Sequence, residues 1–395
     1  MSAPITTRTR PSGIRSLLGD ATGAVADLGV LVPLAAALIL VNGLDAGAVF
    51  VGAGLLVIVT GLVFQIPFPV QPLKALTAVA VARELSPDVI HAAGLELAAF
   101  LLLLSIGHIA DLVARLFVKP VVRALQLGVG LLLVATSIRL VTDPPDVFAA
   151  PASPWPIVLA AFAFAGVAVA AHQRRYAWAL VLFGSGVIAT IAATRPELAS
   201  PSLALPSLDL PAASAFGTAF VLLVIPQLPL TFGNAVVAVN DLAHEYFGDA
   251  AARVTPSRVC LSAGIGNAFS TAIGGMPMCH GAGGLTAHVR LGARTRRMNI
   301  LLGSAFLVLG LFFAAQVPVV LGLLPVSVLA AFLAYAGLRH AWLVTDLRGG
   351  QLAIATAAGA LGAWSGNLAI TAALALVLEH GRRLAAGRAR TPTRG

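Results

Sequence analysis

Charge is what this sequence has least of. Only 10% of its 395 residues are Asp, Glu, Lys or Arg, while 58% are hydrophobic and the mean hydropathy is +0.94. Soluble domains carry about 25% charged residues, and no soluble core could bury this much apolar side chain, so a water-soluble globule is excluded. Cysteine is nearly absent: Cys260 and Cys279 alone make no disulfide framework. HExxH and GxSxG motifs are also missing. The adjacent pair Cys279-His280 would point about 100° apart on a helix, which excludes nucleophile–base pairing. No enzyme, metal or cofactor is expected. Acidic residues number 16 against 25 basic ones, a net charge of +9. The basic residues sit in short clusters between apolar runs, with no basic face interleaved with aromatics, so nucleic acid is not expected as a partner. A cleavable signal peptide is not expected either, because it wants a shorter, uncharged core, and the apolar run after the polar first 19 residues contains Asp20 and Asp27.

What is present is a series of apolar runs near the roughly 20 residues a helix needs to cross a bilayer. They fall at 20–41, 46–64, 67–82, 88–112, 121–141, 155–172, 176–194, 213–240, 257–273, 276–289, 298–316, 320–337, 350–363 and 366–381. The expectation is an all-α polytopic protein of fourteen spans in the inner (cytoplasmic) membrane, with lipid as its solvent and cytoplasmic tails at 1–19 and 382–395. With the N-terminus inside, the outer segments hold only Arg83, Arg139 and Arg195. Lys74 lies within a span, and every other one of the 25 basic residues falls inside. That split is the positive-inside pattern, and an odd number of spans would break it. The Pro- and Ser-rich stretch 195–212 forms an extracytoplasmic linker between 20–194 and 213–381. Each half has seven spans, so the second enters from the opposite side, an inverted repeat.

The runs beginning at 67 and 276 are too short for ordinary spans. Pro67, Pro69 and Pro72 each lack a donor N–H and cannot sit inside a regular helix. They predict an extended stretch to Gln71, with Pro72 at the first helical position of a half-helix that starts inside the membrane. Its free amides carry about +0.5 of a charge. Lys74 in its first turn opposes the dipole and costs at least about 2.5 kcal/mol at membrane depth. A bound anion relieves both penalties; snorkelling or pairing with Asp27 are the alternatives. In the second half, Met276-Pro277 leads into Met278-Cys279-His280-Gly281-Ala282-Gly283-Gly284. Those glycines let a ligand approach the backbone, or else serve close helix packing. If the two half-helix ends face each other, the positive charge sums to about +2 with Lys74, suited to a divalent oxyanion without a metal.

Gln227, Thr231 and Asn234 stand at i, i+4 and i+7 of the eighth span, on one helical face. They are expected either to complete an oxyanion's shell or to bond between helices. Asp27 is the deepest acid in a plain span and a candidate for proton exchange or for pairing with Lys74. Asp241 and Glu245 could serve protons as well, or form a solvated helix end. His280 could titrate near neutral pH or donate to the anion.

The segments GDATGAVADLGVLVP (19–33), PFPVQPLKAL (67–76), PQLPLTFGNAVVAVNDLAHEYFG (226–248) and MPMCHGAGGLTAHVRLGAR (276–294) resemble the molybdate-transporter family of bacteria, algae and plants, relatives of the sulfate permeases. The resemblance implies a uracil-permease/sulfate-permease-like inverted-repeat fold with extended segments and half-helices in spans 3 and 10. It implies a core domain (20–112 plus 213–316) that carries substrate past a gate domain (119–194 plus 320–381), an elevator. It implies import of molybdate, with tungstate and sulfate as competitors; the sequence does not give the oligomeric state, and a homodimer is an allowed assembly. By motif position, Gln71, Lys74, Cys279, His280, Gly281 and Gly283 would line the site. About a dozen residues follow Arg383, so no regulatory domain is expected there, which fits the molybdate branch better than the sulfate permeases. A sulfate or nucleobase transporter of the same fold is the alternative, as is an anion channel. A nucleobase, with at most one charge, would not need the first-turn lysine.

Overall fold

The computed structural model describes residues 14–24, 28–107, 118–143, 161–166, 199–322 and 326–388, with scattered positions between 109 and 197. Asp27, the expected spans 155–172 and 176–194 (apart from a few positions), residues 1–13 and residues 389–395 lie outside the described residues.

The first half contains α1 (Ile14–Ala24), α2 (Leu28–Leu40), α3 (Ala46–Phe64), β1 (Gln71–Pro72), α4 (Lys74–Ala82), α5 (Pro87–Leu104) and α6 (Lys119–Thr142). The second has α7 (Ala215–Ala219), α8 (Ile225–Leu230) and α9 (Ala238–Phe247), joined by π-helical turns at Phe220–Val224 and Thr231–Val237. There follow α10 (Pro256–Ala272), β2 (Met278–Cys279), α11 (Ala282–Arg290), α12 (Arg297–Phe312), α13 (Gln316–Gly322), α14 (Val326–Trp342), α15 (Gly349–Ser365) and α16 (Leu368–Arg388).

Helix starts follow local chemistry. Asp45 caps α3 by accepting from the Ala48 amide at 2.6 Å. Thr255 caps α10, with Pro256 at a first-turn position where its missing donor costs nothing. The described parts of the expected span 20–41 are α1 and α2, and those of 320–337 are the end of α13 and α14, which runs on to Trp342; residues 25–27 and 323–325 lie outside the described residues. Among the described residues, four helices are long and apolar enough to cross a bilayer: Ala46–Phe64, Pro87–Leu104, Lys119–Thr142 and the composite Ala215–Ala251.

Glycines set the closest helix contacts. A Cβ on Gly54 of α3 would lie 2.7 Å from the Gly303 carbonyl of α12, and one on Gly303 would lie 2.6 Å from that of Gly54. Gly130 of α6 and Gly337 of α14 face each other in the same way. Without a hydrophobic drive between helices in lipid, such small-residue seams supply the packing. Two helix groups result: α3 packs with α12 and α10, and α10 with α5, while α6 packs with α14, α15 and α16. The short helix α4 lies between them, against α2 and α6.

At the cytoplasmic end predicted by charge, α1 is tied beneath α11. Asp20, fully buried, accepts from the Arg294 and Thr295 amides at 2.8 and 3.0 Å and from the Thr295 hydroxyl at 2.5 Å. His288 bonds the Gly23 carbonyl at 2.7 Å. These contacts account for much of the GDATGA segment.

Candidate anion site at the crossed half-helices

The two broken segments meet. β1 pairs antiparallel with β2, Gln71 opposite Cys279 and Pro72 opposite Met278, and the Leu73 amide donates to the Pro277 carbonyl at 3.3 Å. The helix therefore starts at Lys74, with Leu73 as N-cap, rather than at Pro72. Pro72 is held extended in the ladder, where its missing donor costs nothing.

Backbone polar groups at membrane depth must all find partners, and most of the crossing's are supplied by side chains. Asn299 accepts from the Phe68 amide at 2.9 Å and donates to the Phe68 carbonyl at 2.7 Å. Asn267 does the same for Met278, at 2.6 and 2.8 Å. Ser270 donates to the Met276 carbonyl at 2.8 Å. His280 bonds the Pro69 carbonyl through Nδ1 at 3.0 Å. A carbonyl only accepts, so Nδ1 carries the proton and Nε2 accepts from the Ser262 hydroxyl at 3.2 Å. His280 is fully buried, with its ring against the edge-tilted Phe68 at a centroid distance of 5.0 Å. Both of its nitrogens thus have partners at the crossing.

Both half-helices, nine residues each, begin at this crossing. Their N-caps, Leu73 and Gly281, have no side-chain oxygen to offer the first amides, which have no acceptor within the helix either. Gln227 reaches across from α8 and accepts from the Leu76 amide at 3.1 Å, while its Nε2 donates to Thr231 at 3.1 Å. Lys74 donates to Gln71 Oε1 at 2.9 Å. A Cβ on Gly281 would lie 2.5 Å from that same Oε1 and 3.5 Å from Lys74 Nζ, so only glycine fits there without displacing Gln71. Gly283, two residues on, is exposed and has open space before it. Cys279 is buried beside Gln71 in the ladder.

Gln71, Lys74, Cys279, His280 and Gly281 thus come together, with Gln227 and Thr231 bracing the α4 end. Gln227 and Thr231 share a face as their spacing predicts. The 3.6-residue period does not carry through Thr231–Val237, where hydrogen bonds run i to i+5; the Asn234 side chain lies outside the described residues. Asp241 and Glu245 are exposed on α9. The clamps Asn267, Asn299, Ser262 and Ser270 were not singled out from sequence, although asparagine inside an apolar span was a signal available there. Thr77, one turn into α4, is also buried, and its hydroxyl has no hydrogen-bond partner among the described residues.

Solved structures share the fold: the transmembrane domain of a cyanobacterium bicarbonate transporter, BicA, aligns with a TM-score of 0.66 at 18% identity, over 91% of this chain and 98% of that one. Murine Slc26a9, an anion transporter in the inward-facing state, aligns with a TM-score of 0.68 at 11% identity, over 95% and 69%. The chain is therefore a multi-pass, mostly helical membrane protein of the sulfate-permease-like fold. In sequence it is 30% identical to Molybdate transporter 2 of Arabidopsis thaliana, over 84% of this chain and 80% of that protein. The family described as "Molybdate transporter of MFS superfamily" matches residues 19–133 and 219–339, which include both half-helices and the helix that braces them. On these matches the chain belongs to the molybdate transporter family, a family of transporters and not of enzymes.

Proposed function

We propose that the protein is a secondary active transporter that imports molybdate by elevator-type alternating access across the inner membrane, with both termini cytoplasmic. The observation that carries the reading is the meeting of two helix N-termini with Lys74 and Gly281 at one crossing. Each helix end supplies about +0.5 of a charge, and Lys74 brings the sum to about +2, which balances a tetrahedral dianion. The anion's oxygens replace Gln71 Oε1 as the acceptor for Lys74 and take the first amides of α4 and α11. Gln227 and Thr231 position the α4 end.

In this reading the fourteen spans form two inverted repeats. The α3–α5 and α10–α12 group carries the site past the α6 and α14–α16 group, with α4 sliding along α6. Tungstate, a dianion of the same shape, competes, as does sulfate. Protons are the proposed coupling ion, with Asp27 the first candidate and Asp241 and Glu245 behind it. The protein works as a monomer or homodimer.

The test is radiolabelled molybdate uptake into proteoliposomes, wild type beside Lys74→Ala, with tungstate, sulfate and uracil as competitors. Uptake blocked by tungstate and lost in the variant is the expected result. Uptake that survives Lys74→Ala removes the charge argument, and transport of sulfate or uracil alone removes the substrate. Downhill flux without accumulation turns the carrier into a channel. Uptake whose pH dependence is unchanged in Asp27→Asn removes Asp27 from coupling.

A further inference from the structure

The opposite end of α4 carries a second arrangement of charge. Arg83, its C-cap, donates through Nε to the Gly366 carbonyl at 2.7 Å and through Nη2 to the Ser365 carbonyl at 2.9 Å. Those carbonyls end α15, which closes with Gly366 in the left-handed region at φ 62°. Next to Arg83, Glu84 (φ 51°) pairs with Arg139 of α6. These contacts border an open cavity of about 780 Å³, lined by Arg83, Glu84, Thr136, Arg139, Asp143 and Ser365 among others. Arg139 has a carboxylate partner, whereas Arg83 has only neutral acceptors among the described residues.

A guanidinium fork presents two parallel donors, and it binds an oxyanion about twice as strongly as a neutral carbonyl. An oxyanion that diffuses into this cavity is therefore the better partner for Arg83. Taking it breaks both bonds between the end of α4 and the end of α15. We propose that this cavity is an outer binding site for tetrahedral oxyanions, and that its occupancy releases the Arg83 latch holding the half-helix to α15. The proposal rests on the reading above that places this end outside and lets α4 move against α6 and α15. Arg83 is here a ligand residue, distinct from the Lys74 site at the other end of the same helix.

The test is Thr136→Cys, a buried cavity-lining position, labelled on intact cells with a membrane-impermeant maleimide. Both native cysteines are buried. Labelling rates are measured with and without molybdate, tungstate and sulfate, in the Arg83, Arg83→Gln and Arg83→Lys backgrounds, with melting temperature as the check on folding. Two charge-assisted hydrogen bonds are at stake, so oxyanion should change the rate by about tenfold. Arg83→Gln should label fast without anion and ignore it. Arg83→Lys, with charge but no fork, should lose most of the response. An anion response equal in all three backgrounds overturns the proposal. A response to sulfate alone, in a protein that takes up no molybdate, overturns the substrate reading and keeps the outer site. Molybdate uptake with labelling unmoved by any oxyanion does the reverse.

Discussion

At the residue scale, the crossing is held by a few side chains whose removal has readable costs. Asn267→Leu strips the Met278 amide and carbonyl of their partners in a buried setting. Two unsatisfied groups should cost about 2–4 kcal/mol, read as a fall in melting temperature of the purified protein. Gly281→Ala should act on function first, because its new methyl would stand 2.5 Å from the present position of Gln71 Oε1 and 3.5 Å from Lys74 Nζ, in the space the anion's oxygens need. Molybdate affinity should fall by about tenfold, the scale of 1–2 kcal/mol of overpacking. Gly217→Ala, on α7 with open space around it, should leave both readouts unchanged and serves as the control. Much of this was legible. Three prolines before Lys74 announced an interrupted helix, and the glycines after His280 announced a close approach. The asparagine clamps were not, since a lone amide in an apolar span looks the same whether it grips a neighbouring segment or a distant one. Asn299 grips Phe68, 231 positions away. For His280 the sequence leaves open whether it titrates or donates to an anion, and the Pro69 carbonyl it bonds, 211 positions distant, is a contact the sequence does not display.

At the scale of elements, helix existence followed from hydropathy and the breaks from proline, while register came from contacts that sequence does not display. The ladder that puts Pro72 opposite Met278 moved the start of α4 two residues on. The π-helical turns at Phe220–Val224 and Thr231–Val237 flank Pro226 and Pro229 and interrupt the 3.6-residue period there, which a helical wheel drawn on the sequence does not anticipate. A connection outside the membrane offers a cleaner prediction. Asp346, between α14 and α15, accepts from Arg123 at 3.0 and 2.6 Å and from Lys119 at 3.0 Å, fastening that connection to the start of α6. The Arg123 hydrogen bonds, helped by Lys119, hold the carboxyl down to about 2. A carboxyl with a depressed pKa stabilises the fold fully above the unfolded value of about 3.9 and stops doing so as pH falls toward 2. The pair is partly exposed, so about 0.5–1 kcal/mol is expected. Asp346→Asn should therefore melt slightly below wild type at pH 6, and the gap should close as the pH approaches 2.

For the whole molecule, the charge asymmetry that suggested an orientation makes a claim independent of substrate. A cysteine at Leu205, exposed in the linker, should react with an impermeant maleimide on intact cells. One at Leu384, exposed near the end of α16, should react only after permeabilisation. The opposite pattern would invert the topology. The antiparallel staple between the two half-helices has one more consequence. Strands in a ladder sit about 4.8 Å apart, and this one is locked by amide clamps on both sides. On the proposed reading the two helix ends then act as a caliper of fixed opening, unable to tighten on a smaller guest. Discrimination between tetrahedral anions of equal charge then becomes a matter of radius: one that spans the gap touches both jaws, and one that falls short keeps a water on one side.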